Sequence, residues 1–139
     1  MSFREKSAWI MGALMVVAGV YYLNIALAAS HVAGRTVPPV AVFVPYTLMV
    51  VIVSVIVQTA MAILAPKAAT APADERERPL LDRAGHWSGI VLAAGAVSSL
   101  LYYLFREDGV LLFHMIMASL IVSQIAEYAL QIILIRRNS

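Results

Sequence analysis

Apolar residues run almost unbroken through four stretches, Ser7–Ala29, Val40–Ala65, His86–Phe105 and Val110–Ile135. Each is near the ~20 residues that cross a hydrocarbon core. Backbone facing lipid must satisfy its hydrogen bonds within its own segment, so each stretch predicts a helix. The expectation is an all-α, polytopic transmembrane four-helix bundle, with residues 1–139 as a single transmembrane domain.

The polar breaks set the connections. Ser30–Val44 reads as a loop holding His31, Gly34, Arg35 and the pair Pro38-Pro39. Pro45 is either the start of the second helix or a kink just inside it. After Pro66, Lys67–Ala73 is rich in alanine and proline and reads as flexible, and Asp74-Glu75-Arg76-Glu77-Arg78 reads as a solvated strip. Pro79 breaks the strip, and Leu80-Leu81-Asp82-Arg83 leads into the third helix. Arg106-Glu107-Asp108-Gly109 reads as a tight Asp-Gly turn, which makes the third and fourth helices an antiparallel hairpin.

Composition agrees with the pattern. The chain is 62% hydrophobic and only 13% charged, far from the balance of a soluble domain. Without cysteine it has no disulfide, thiolate metal site or cysteine nucleophile. A formal charge of +2, with no basic patch interleaved with aromatics, gives no reason to expect nucleic acid. The distribution of charge says more. Arg4 and Lys6, then Lys67, Arg76, Arg78 and Arg83, then Arg136 and Arg137 fall on one side, against Arg35 and Arg106 on the other. The positive-inside rule then places both termini in the cytoplasm, with Trp9 and Trp87 as interfacial anchors. Arg4, Lys6 and Ala26-Leu27-Ala28 resemble parts of a cleavable signal, but the apolar run exceeds the ~7–15 residues usual there, and a retained helix is expected.

A short internal match hints at duplication. Ile52-Val53-Ser54-Val55-Ile56 resembles Ile121-Val122-Ser123-Gln124-Ile125, and Tyr21–Leu23 resembles Tyr102–Leu104. That register sets Gln58 opposite Glu127 at similar depth and describes two parallel hairpins. Chance likeness between simple apolar stretches is an equally good account.

The candidate chemistry centres on Glu127, the one carboxylate well inside the fourth apolar run. Ser119, Ser123, Glu127 and Gln131 recur every four residues, with Gln124 nearby, and so share a helical stripe. An acidic residue at mid-helix costs on the order of 3 kcal/mol on insertion, so the stripe must face protein or water. Two readings stay open. Glu127 is a titrating or cation-binding carboxylate, or it is an interhelical hydrogen-bonding group among Gln58, Ser54 and Ser123. His31 and His114, at the far side from His86, are too few and too poorly placed for haem or zinc, and no cofactor is expected. Nor does the chain hold a nucleophile–base arrangement, a phosphate loop or paired membrane carboxylates, so no enzyme is expected. Gly85, Gly89 and Ala93, Ala8 and Gly12, and Gly95 and Ser99 offer small faces for close helix contact, within the chain or between copies. The expected partners are the bilayer and either a second copy or another membrane protein.

The opening Phe3-Arg4-Glu5-Lys6-Ser7-Ala8-Trp9 and the charged Asp74-Glu75-Arg76-Glu77-Arg78 resemble a group of small bacterial four-helix inner-membrane proteins of unknown function. The resemblance implies a bacterial cytoplasmic membrane and carries no activity and no assigned residues. Pro79-Leu80-Leu81-Asp82 departs from the continuous helix start that the group leads one to expect. Small multidrug transporters also have four helices and one membrane glutamate, but theirs lies in the first helix, where this chain offers only Asn24.

Overall fold

The computed structural model describes residues 2–33 and 39–138, with side chains described outside 29–40. Expectations for Gly34, Arg35 and Pro38, and for the side chains of His31 and Pro39, therefore lie outside the described residues. Among the described residues the order is α1 (Phe3–Ala33), α2 (Pro39–Leu64), α3 (Pro66–Thr70), α4 (Arg78–Arg106) and α5 (Gly109–Asn138), with no strand. Four of these, α1, α2, α4 and α5, are long and apolar enough to cross a membrane.

Local chemistry explains the boundaries. The Ser2 hydroxyl accepts the Glu5 amide at 3.2 Å and caps α1. Pro45 lies inside α2, which already begins at Pro39. Ala65, at φ −141° and ψ 62°, ends that run, and Pro66 opens the single turn of α3. Part of the stretch expected to be flexible is thus helical. The largest shift from expectation is α4, which starts at Arg78 rather than His86. Pro79 sits in its first turn, where the missing N–H has no intrahelical partner to lose, so it starts this helix instead of preventing it. The α4–α5 turn is also built differently from an Asp-Gly turn. Glu107 takes the left-handed conformation at φ 53°, and its amide donates to the Tyr103 carbonyl at 2.7 Å. Asp108 then caps α5, its Oδ1 accepting the amides of Val110 and Leu111 at 3.0 and 3.1 Å. Gly109 is simply the first residue of the helix.

The helices form an open row in the order α2, α1, α5, α4. α4 and α5 pack along their length on small residues. The Ser123 hydroxyl donates to the Ser88 carbonyl at 2.9 Å, and Ala84, Ser88 and Ser99 are buried. α1 and α5 run antiparallel, matching Glu5 with Arg136, Gly12 with Tyr128, Gly19 with Ile121 and Tyr22 with His114. At the last of these levels Ala18, Tyr22, Val42, Tyr46 and Met117 form the buried cluster joining α1, α2 and α5. Edge-on rings tighten it, Tyr22 on Tyr46 at 5.0 Å and Phe43 on Phe113 at 5.3 Å. Large apolar side chains elsewhere face outward, among them Val17, Ile63 and Phe105, as expected where the solvent is lipid.

The small faces differ in role. A Cβ on Gly95 would sit 2.7 Å from the Ser119 Cβ, whereas nothing lies within 4 Å of one on Gly85 or Gly89. Gly95→Leu is therefore expected to cost about 1–3 kcal/mol by overpacking. Thermal unfolding in detergent should show a lower midpoint for Gly95→Leu and an unchanged one for Gly89→Leu.

Candidate functional site

A stripe spaced by four residues does not run straight along a helix. At 3.6 residues per turn it advances about 40° per step, so Ser119 and Gln131 are separated by about 120°. α5 uses this drift. Ser119 lies against Gly95, and Ser123 is buried against the Ser88 carbonyl, both facing α4. Glu127 and Gln131 have turned past that contact, and the Gln131 amide donates to the Glu127 carboxylate at 3.3 Å.

Both side chains line a polar cleft of about 300 Å³. Its other walls are Phe3, Arg4 and Ser7 from the start of α1, Ala68 and Ala69 of α3, and Leu81 and Asp82 from the start of α4. The cleft thus belongs to the end of the row where α1 and α4 begin. Charge within it is mixed, with Arg4 against Asp82 and Glu127. Arg4 is shared with the connector, its guanidinium 3.4 Å from Glu77 Oε2 and donating to the Ala71 carbonyl at 3.4 Å. Beside the cleft the buried Glu5 accepts from Arg136 Nε at 2.9 Å, and that guanidinium lies 5.4 Å from the centre of the Trp9 ring. A carboxylate reached by polar groups from the helix ends is not stranded in hydrocarbon, which relieves the cost of placing it there.

The remaining candidates lie elsewhere. Gln58 does not line the cleft; its amide points to the Met11 sulfur at 3.9 Å, across the α1–α2 contact. By the α1 register it is nearly level with Glu127, but it lies on the other side of α1. The Ser54 hydroxyl is buried without a hydrogen-bond partner among the described residues, whereas Ser123, its counterpart in the internal match, bonds to α4. Gln124 is exposed on α5. The structure therefore brings Glu127 together with Gln131 and keeps Gln58, Ser54, Ser123 and Gln124 out of the cleft.

Three cleft residues, Arg4, Ser7 and Asp82, read in the sequence only as helix flanks. The signal for Asp82 lay in Pro79, once that proline is taken as the first turn of α4. A second polar group was also missed. Near the opposite end of the row the Tyr22 hydroxyl is hydrogen-bonded to His114 Nδ1 at 2.5 Å. Finding it requires the antiparallel α1–α5 register. Between the two polar regions the seam is tight, since a Cβ on Gly12 would lie 3.2 Å from Tyr128 Cβ and one on Gly19 2.9 Å from Ile121 Cγ2. Among the described residues no group of three His, Asp or Glu side chains is placed to hold a metal ion.

Such a cleft can hold a proton or water and admit small polar molecules from one end. Because the chain has no cysteine, single cysteines report access directly. Glu127→Cys should react with a water-soluble, membrane-impermeant maleimide at least about tenfold faster than Val17→Cys, which faces outward among apolar neighbours. Equal rates, read by gel shift in intact membranes, would show that water does not reach the cleft.

Searches against protein-family models, curated proteins and solved structures find no match to this chain.

Proposed function

We propose that this is a non-enzymatic integral membrane protein that acts as a structural or regulatory partner through helix–helix association, most simply with a second copy of itself. Its setting in this reading is a bacterial inner membrane with both termini cytoplasmic, as the bias of Lys and Arg supports. The observation that carries the reading is the outer face of α4. Gly85 and Gly89 have open space beyond them, Ala93 is exposed, and α4 spends its packing on α5. In lipid, helices associate by close backbone approach, and a face without bulky side chains permits it.

A second reading is favoured by the polar surroundings of Glu127. In it the protein is a proton-coupled carrier or channel subunit whose cleft loads Glu127 from one side.

The two part experimentally. Under the first, Ala93→Cys forms disulfide-linked dimers in oxidised membranes, and adding Gly89→Leu reduces them at least about fivefold while the thermal midpoint holds, as expected when a bulky residue blocks a close contact. Under the second, Glu127→Gln abolishes pH-dependent flux in proteoliposomes without changing assembly. Dimers indifferent to Gly89→Leu would remove the first reading.

A further inference from the structure

A separate groove of about 510 Å³ lies between α1 and α5. Ala26 and Ala118 on its walls leave space that larger side chains would fill. Its walls are apolar as far as Ile125, and its polar atoms come from Tyr22 and His114 at the other end. Exposed neighbours on both helices show that it opens sideways, toward lipid.

Depth identifies what such a groove would meet. α5 has 30 residues and is about 45 Å long, against about 30 Å of hydrocarbon. With the excess shared between its ends, His114, five residues into the helix, falls at the edge of the hydrocarbon, where lipid ester carbonyls lie. The Tyr22 hydroxyl and His114 Nδ1 share a hydrogen bond whose direction follows the ring tautomer, and in the tautomer in which the hydroxyl donates, the ring proton is on Nε2. Among the described residues Nε2 has no other hydrogen-bond partner, so it is a donor available to a carbonyl oxygen.

We propose that the groove is a binding site for one ester-linked membrane lipid. An acyl chain lies along Gly19 and Ala118 toward Ile125, and an ester carbonyl accepts from His114. The site stands independently of the association face on α4 and of the Glu127 cleft. An apolar groove alone would hold any chain of the surrounding bilayer. A histidine donor at carbonyl depth makes this one distinguish among lipids.

The test is native mass spectrometry of the full chain in mild detergent, titrated with dioleoyl phosphatidylglycerol or its ether-linked analogue, which lacks the carbonyls. The wild type is expected to retain one ester lipid with about a tenfold preference over the ether form, the scale of one well-made hydrogen bond. His114→Phe keeps the ring packing and should bring the preference to about one. Ala118→Trp, at an exposed position, should reduce retention of both lipids at least about tenfold by filling the groove. Equal retention of ester and ether lipids by the wild type, or a preference that survives His114→Phe, would overturn the proposal. So would Ala118→Trp binding as the wild type does, which would mean that only surface lipid is being counted.

Discussion

The seam between α1 and α5 makes the four long helices one body. α2 packs chiefly on α1 and α4 chiefly on α5, so without that seam the chain would be two hairpins sharing a bilayer. No hydrophobic force draws helices together in lipid, and the seam rests on close packing at Gly12 and Gly19 with polar contacts toward either end. Those contacts are Glu5 with Arg136 and Tyr22 with His114, which lie on either side of the two glycines.

The same economy governs the polar groups. The middle of the seam is closed by Tyr128 and Ile121, while the Glu127 cleft and the Tyr22–His114 pair lie toward opposite ends. A carboxylate that looks buried by its position in the sequence shares a polar cleft with Arg4, Ser7 and Gln131. Its cost is relieved by the first turns of neighbouring helices rather than by a partner deep in the membrane. That separates the chemistry of the cleft from the helix association proposed for the outer face of α4.

Much of the fold is legible in the sequence because the length of an apolar run is itself a physical measurement of the bilayer. The α4–α5 hairpin is legible for a similar reason, since so short a polar break between two such runs leaves no other geometry. The start of α4 is not, because Asp82 and Arg83 lower local hydropathy without ending the helix, and Pro79 reads equally as a stop or a start. Of the candidate site, the Glu127–Gln131 contact follows from spacing on one helix. Contacts between helices do not follow, because no spacing within a segment fixes its rotation about its own axis. Gln58 shows this. A register based on depth placed it level with Glu127, but α1 stands between their surroundings.

The ion pair of Glu5 with Arg136 joins residues 131 positions apart. During synthesis this partner for α1 is therefore made only after α2 and α4. The α4–α5 pair, joined by two residues, can close as soon as it has entered the bilayer, whereas α1 must wait with its glycine notches facing lipid. Closing so long a loop adds only a logarithmic entropy cost, so the delay is one of order of assembly rather than of stability. Until then α1 has α2 beside it but an uncovered face shaped for another helix, which makes that interval the one in which a foreign helix could take the place of α5.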